Sequence, residues 1–279
     1  MSDRYAVIGN PIAHSKSPLI HAEFARQTGQ DMEYGRILGN PDDCAADVRR
    51  FFDAGGRGMN VTVPFKEQAW EMADERSPRA ESAGAVNTLI LLPDRRLRGN
   101  NTDGAGLIRD LTENQGFDFR AKQVLLLGAG GASRGVLGPL LETGLATLVI
   151  ANRTASKALD LAAAAAAAED HVSGCGLDRL SGRRFDLIVN ATSSGLAGDV
   201  PAIPPDCLAP GGWTYDMLYG DQATTFQRWG SEHGAARALD GLGMLVEQAA
   251  ESFFLWRGVR PATAPVIALL RGGEQQTRA

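Results

Sequence analysis

The sequence predicts an α/β protein of two domains. Three observations carry this: strand-like apolar runs alternate with helical patterns from one end to the other, a glycine cluster sits between a strand and a helix just before the middle, and 279 residues exceed the usual size of one domain. The balance is that of a globular chain able to bury a core, 44% hydrophobic and 22% charged, with 33 glycines against an expectation of roughly 7%.

The elements follow in order. Tyr5-Ala6-Val7-Ile8-Gly9 reads as a strand, and Pro18 to Thr28 as a helix for which Ser17 is a suitable N-cap with proline at the first helical position. A second helix carries Val48, Phe51 and Phe52 at i, i+3, i+4 spacing. Met59 to Val63 and Ala85 to Leu92 read as further strands, so the first hundred residues predict a largely parallel sheet with crossover helices. From Lys122 a second unit opens, with strands over Gln123 to Leu127, Thr147 to Ala151 and Phe185 to Asn190. Seven alanines, Ala162 to Ala168, predict a plain helix without function. Leu242 to Trp256 reads as an amphipathic helix with Leu245, Ala249 and Phe253 on one side, positioned to pack back onto the N-terminal unit.

Several function classes are disfavoured. A net charge of −5 with dispersed arginines gives no field toward nucleic acid or anionic lipid. Cys44, Cys175 and Cys207 show neither disulfide nor zinc-ligand spacing and read as small packed residues, so no metal is expected. No run approaches the ~18 apolar residues of a membrane helix and no leader precedes the first strand, which makes the cytoplasm the expected compartment. His14 reads as a polar loop residue.

Gly128-Ala129-Gly130-Gly131-Ala132-Ser133 lies between a strand and a helix, the context in which glycines let backbone approach a pyrophosphate at a helix N-terminus. Ser133 stands at the third glycine position of the usual pattern, which predicts slightly looser helix-to-strand packing. After the second strand come Asn152-Arg153-Thr154-Ala155-Ser156-Lys157, where an NAD site would place a carboxylate. Two cations there suit a 2′-phosphate, and a charged hydrogen bond of about 1.5–3 kcal/mol is enough to set a cofactor preference. NADP(H) is therefore the expected cofactor.

In the N-terminal half, Asn60-Val61-Thr62-Val63-Pro64-Phe65-Lys66 places Lys66 in the first turn of a helix, where a cation opposes the helix dipole. That end of a helix favours the neutral amine, useful for a group that trades protons, whereas a nearby Asp would oppose the effect. Asp103, before a helix at Gly104 to Leu111, reads either as an N-cap or as that partner. Asn87, Thr88 and Gln248 interrupt apolar elements and need hydrogen-bond partners if buried.

Together these segments resemble the shikimate dehydrogenase family end to end. The resemblance rests on Gly9-Asn10-Pro11, Ser15-Lys16-Ser17-Pro18, the Asn60 to Lys66 run, Gly84-Ala85-Val86-Asn87-Thr88 and Asn101-Thr102-Asp103-Gly104. It continues through the glycine loop, Asn152-Arg153-Thr154, Tyr215-Asp216-Met217-Leu218-Tyr219 and Asp240-Gly241-Leu242-Gly243-Met244-Leu245. It implies a substrate-binding domain over 1–103, completed by 239–279, and a Rossmann-type NADP-binding domain over 104–238. The implied reaction is reversible NADPH-dependent reduction of 3-dehydroshikimate to shikimate, in chorismate and aromatic amino acid biosynthesis.

By matching position, Ser15, Ser17 and Tyr219 would hold the substrate carboxylate. Thr62, Lys66, Asn87, Asp103 and Gln248 would bind its ring hydroxyls, with Lys66 and Asp103 as the acid–base pair. Gly128, Ala129, Gly130, Gly131, Ala132, Ser133, Asn152, Arg153, Thr154, Ser156, Lys157, Met217 and Gly241 would contact the dinucleotide. Close relatives often carry Arg where this chain has Lys157, which predicts weaker 2′-phosphate discrimination. The expected partner is a small molecule, with neither nucleic acid nor membrane, and the chain a monomer or homodimer. Two readings compete: a dual quinate/shikimate dehydrogenase using NAD, against which the missing acid weighs, and an NADPH-sensing protein without turnover, against which Lys66 and Asp103 weigh.

Overall fold

A computed structural model of the chain describes residues 2–166 and 171–276. It divides into two units, one formed by the chain up to Gly106 and again from Leu245 onward, the other by Leu107–Met244.

The first unit contains β1 (Asp3–Gly9), α1 (Ser17–Thr28), β2 (Met32–Leu38), α2 (Cys44–Asp53), β3 (Gly56–Val61), α3 (Lys66–Met72), β4 (Glu75–Arg76), α4 (Pro78–Ala83), β5 (Thr88–Leu91) and β6 (Leu97–Asn100). Its strands form one sheet in the order β2-β1-β3-β5-β6-β4. The expected largely parallel sheet is corrected to a mixed one: β1 pairs parallel with β2 and β3, but β3–β5 and β5–β6 are antiparallel. The reason is local. Only residues 92–96 separate β5 from β6, too few for the crossover a parallel pair requires. A turn closes that gap, with Arg95 at φ 68 and the Asp94 carboxylate accepting the Arg96 N–H at 3.2 Å.

Val48, Phe51 and Phe52 of α2 are buried with Ile8, Met59, Val61 and Phe65, as their helical spacing predicts. The chain returns to this unit through α9 (Leu242–Arg257) and α10 (Ala264–Gln276). On α9, Ala249 and Phe253 are buried and Leu245 is half-buried. Beneath α9, His21 of α1 is fully buried and stacks on Tyr34 of β2, with ring centroids 4.2 Å apart and planes 7° from parallel. Phe24 meets its edge and Trp256 lies tilted against it.

The second unit holds β7 (Gln123–Leu127), α6 (Gly131–Leu141), β8 (Thr147–Asn152), α7 (Ala155–Ala166), β9 (Val172–Gly176), β10 (Phe185–Asn190), β11 (Leu208–Asp216), α8 (Thr225–Glu232) and β12 (Arg237–Leu239). α5 (Asp103–Arg109) leads in from the first unit and continues as a π-helical turn over Asp110–Asn114. All five strand pairings are parallel, in the order β12-β11-β10-β7-β8-β9. Alternation along each strand sends Val124, Leu126, Leu148 and Ile150 to one core and Leu125, Leu127, Val149 and Ala151 to the other. A sheet buried on both faces explains why its strands read as unbroken apolar runs. Of the alanine run, Ala162–Ala166 lie in α7, and Ala167 and Ala168 fall outside the described residues. Cys44 and Cys207 are buried and Cys175 half-buried, all free thiols. Among the described residues, no helix is long and apolar enough to cross a membrane.

Burial, only partly opposed by the Asn60 side chain, lowers the His21 pKa from 6.5 to about 3. In the unfolded chain the ring protonates below about 6.5, while in the folded chain it stays neutral to far lower pH. Stability is therefore whole above pH 6.5 and falls as pH drops toward 3. We expect the urea-derived unfolding free energy to lose about 2 kcal/mol through this group between pH 7 and pH 5. A His21→Phe variant should lose that part of the slope, and an identical slope in the variant would contradict the assignment.

Candidate active site and nucleotide-binding loop

In the first unit the polar residues of several elements meet. Lys66 is the first residue of α3 and Asp103 the first of α5. The Lys66 Nζ donates to Asp103 Oδ2 at 2.7 Å, with side-chain exposures of 26% and 11%. Asp103 Oδ1 accepts from Asn87 Nδ2 at 2.8 Å. Of the two readings open for Asp103, the partner of Lys66 is the one observed: its carboxylate faces Lys66 and Asn87, and its own backbone N–H is held by the Asn101 side chain at 3.1 Å. Asn87 also donates to Thr102 Oγ1 at 3.0 Å and lies 3.5 Å from Gln248 Oε1 on α9. Gln248 is anchored by its Nε2, which donates to the Leu245 carbonyl at 2.9 Å. Lys66, Asn87, Asp103 and Gln248, far apart in sequence, thus form one hydrogen-bonded group.

Ser15 and Ser17 are also adjacent, but not as expected. Ser17 lies inside α1 rather than capping it; Lys16 occupies the cap position, and the Ser17 N–H donates to Ser15 Oγ at 3.3 Å. Ser17 is buried and Ser15 half-buried, the Ser15 carbonyl accepting from Arg36. Thr62, half-buried, follows the end of β3, and its N–H donates to the Ile8 carbonyl at 2.9 Å. His14 is exposed in the loop before α1. Tyr219 belongs to the second unit, beyond the end of β11, and is half-buried.

In the second unit the candidate nucleotide residues gather at the carboxyl ends of the strands. Gly128 follows β7 at φ 108, a conformation that favours glycine, and a side chain there would start 3.2 Å from the Ala191 carbonyl. This is where the strand order reverses, with β8 to one side of β7 and β10 to the other. α6 begins at Gly131 with Gly130 as a cap that offers no side chain, so its first-turn N–H groups are not occupied by one. Ser133 is fully buried, as are Val136 and Leu140 of the same helix. Past β8, the Asn152 side chain donates to the Thr154 carbonyl at 3.0 Å, and Arg153, Thr154, Ser156 and Lys157 are exposed. Neither Arg153 nor Lys157 is paired with a carboxylate among the described residues. Met217 and Gly241 meet closely, since a side chain on Gly241 would start 2.3 Å from the Met217 carbonyl oxygen.

Sequence reasoning passed over the residues that tie these strand ends together. Asn190 at the end of β10 donates to Asp216 Oδ1 at 3.1 Å, and Asp216 also accepts the Leu218 N–H at 3.2 Å. Burial raises the Asp216 pKa. Asn190 Oδ1 accepts from the Thr192 hydroxyl at 2.7 Å. The available signal was a polar residue closing each apolar strand. In the first unit Ser252 was missed likewise, four residues after Gln248 on an otherwise apolar helix face.

A parallel six-stranded sheet in 3-2-1-4-5-6 order, with a glycine turn at its switch point, defines a Rossmann-type dinucleotide-binding protein. Residues 7–89 match the family model for the shikimate dehydrogenase substrate binding domain, 110–197 that for shikimate / quinate 5-dehydrogenase, and 241–271 that for the shikimate 5′-dehydrogenase C-terminal domain. A shikimate dehydrogenase (NADP(+)) of Alkalilimnicola ehrlichii is 58% identical over 97% of this chain and 99% of its own. Among solved structures, the Ael1 enzyme from Pseudomonas putida superposes with a TM-score of 0.91 at 50% identity, covering 96% of this chain and 98% of that one. Shikimate 5-dehydrogenase from Thermus thermophilus, in complex with NADP(H) and shikimate, gives 0.85 at 33%, covering 95% and 97%. The chain belongs to the shikimate dehydrogenase family.

The switch-point glycine has a direct stability consequence. Gly128→Ala combines an unfavourable backbone conformation with a contact on the Ala191 carbonyl and should destabilise the protein by roughly 1–3 kcal/mol. A urea midpoint equal to that of the unsubstituted protein would refute this.

Proposed function

We propose that this chain catalyses the reversible NADPH-dependent reduction of 3-dehydroshikimate to shikimate. The observation that carries the reading is the 2.7 Å Lys66–Asp103 pair, held by Asn87 in the unit that matches the family's substrate-binding domain. The names of the relatives support the choice of substrate and cofactor.

The Leu107–Met244 unit is the dinucleotide-binding part, and its glycine turn fits that group. Backbone at Gly128 to Ser133 and the open N-terminus of α6 would receive the pyrophosphate. Arg153 and Lys157, with Asn152, Thr154 and Ser156 beside them, would receive the 2′-phosphate. Met217 and Gly241 complete the contact. NADPH, when bound, supplies a hydride to the ring carbon.

The remaining work falls to the other unit. Ser15 and Ser17 hold the substrate carboxylate; Thr62, Asn87 and Gln248 orient the hydroxylated ring. The carbonyl oxygen becomes an alkoxide as the hydride arrives and needs one proton. Lys66 Nζ and Asp103 supply it as a pair, because their polar atoms lie 2.7 Å apart and either group can pass the proton on. Keeping the amine on its carboxylate also aims it before substrate arrives, so little reorganisation is needed during the reaction.

Two outcomes test the reading. Lys66→Ala should lower kcat by ~10²–10⁴-fold with NADPH affinity little changed, and an unaltered kcat removes Lys66 from the mechanism. Arg153→Ala should weaken NADPH far more than NADH in fluorescence titration, and equal losses would refute the 2′-phosphate assignment.

A further inference from the structure

Behind Asn87 lies a layer of polar side chains to which the reaction assigns no role. Thr88 and Ser252 are fully buried, and Asn60 and Asn87 nearly so. Thr88 Oγ1 is the node: it lies 2.9 Å from Asn87 Oδ1, 2.8 Å from Ser252 Oγ and 3.2 Å from Asn60 Nδ2.

The direction of these bonds follows from groups that have no choice. The Thr102 backbone N–H can only donate, so the atom of the Asn87 amide facing it at 2.9 Å is the oxygen, and Nδ2 is left for Asp103. The Asn87 backbone carbonyl can only accept, so Asn60 turns Nδ2 toward it at 3.2 Å and Oδ1 toward the Tyr34 hydroxyl at 2.6 Å. Burial raises the Tyr34 pKa well above its ordinary value, keeping that hydroxyl a donor. Asn60 therefore donates into Thr88 and also into Ser252 at 3.0 Å, and the one Ser252 proton serves the Thr88 oxygen at 2.8 Å or the Gln248 carbonyl at 3.0 Å. The Thr88 hydroxyl, already receiving from Asn60, gives its one proton to Asn87 Oδ1, which can only accept.

We propose that Thr88 is a positioning residue for the acid–base pair, supported by Ser252 and Asn60. Its hydroxyl holds the Asn87 oxygen on the inner side, which keeps Nδ2 on Asp103 and thereby keeps Asp103 on Lys66. This rests on the reading of Lys66 and Asp103 as the acid–base pair. Valine at this position keeps the shape and removes the hydroxyl. It leaves Asn60 Nδ2 and Ser252 short of a partner and removes the Asn87 oxygen's bond on the Thr88 side, so that oxygen is held by Thr102 alone and Nδ2 can shift on the Asp103 carboxylate.

The test compares Thr88→Val with Thr88→Ser in steady-state shikimate oxidation across pH. The valine variant should lower kcat by about 10- to 100-fold, with KM for NADP⁺ unmoved and the pH profile of kcat displaced. Serine should recover most of the rate and the original profile. Parent-like kcat and profile in Thr88→Val, or equal losses in both variants, would overturn the proposal. The side-chain amide resonances of Asn87 provide a readout independent of turnover: they should move in the valine variant and stay near their original positions with serine. Unmoved resonances in Thr88→Val also overturn the proposal. If the unsubstituted protein does not oxidise shikimate, the functional reading fails while the resonances still decide the network. If Thr88→Val does not fold, Ser252→Ala carries the same expectations.

Discussion

The Asn87 amide can be neither displaced nor turned without leaving a buried donor or acceptor unmet. Its oxygen is committed to a backbone N–H and its nitrogen to a carboxylate. In a low-dielectric interior each unmet group costs roughly 1–3 kcal/mol, so the amide behaves as a fixed bracket. The position of Asp103, and through it of Lys66, follows from that bracket rather than from the intrinsic preference of α3 or α5. Lys66 opposes the dipole of its own helix, and Asp103 at 2.7 Å offsets that cost.

The same economy recurs in the second unit, with backbone in place of side chains. A six-stranded parallel sheet brings the carboxyl ends of β7, β8, β10 and β11 to one edge, and the strand order reverses at β7. Gly128 is required by its backbone conformation, φ 108, and Gly241 because the Met217 carbonyl comes too near for any side chain. Asn190 and Asp216 then tie two strand ends, a polar fastening at the rim of an otherwise apolar sheet. Both units therefore present chemistry from rigid supports: strand ends in one, helix starts and a buried amide in the other.

Much of this was legible in sequence because the signals are local. The strands Gln123–Leu127 and Phe185–Asn190 read correctly, since burial on both faces leaves unbroken apolar runs between punctuating residues. The helix with Val48, Phe51 and Phe52 read correctly because its period is that of a one-faced helix. The hairpin of β5 and β6 was missed because Leu97–Asn100 is short and weakly apolar, and only the Pro93-Asp94 turn marked it. β2 was missed because an edge strand exposes much of its surface and carries little hydrophobic contrast. The N-cap reading of Ser17 failed because the helix already begins at that residue, with Lys16 at the cap. Of the two readings open for Asp103 the partner of Lys66 is the one observed, a pairing that no spacing along the chain displays.

By itself the sequence determined which chemical groups exist and what local frame holds each: glycines between a strand and a helix, two cations where an acid would stand, a lysine at a helix start, polar residues inside apolar elements. Periodicity and turn chemistry act over a few residues, so they survive translation into structure without knowledge of the rest of the chain. Only the tertiary structure decided that Lys66, Asn87, Asp103 and Gln248 share one network, that Ser252 and Thr88 stand behind it, and that the first sheet is mixed. Those outcomes depend on which distant groups satisfy one another's hydrogen bonds once buried, and no spacing along the chain encodes that pairing.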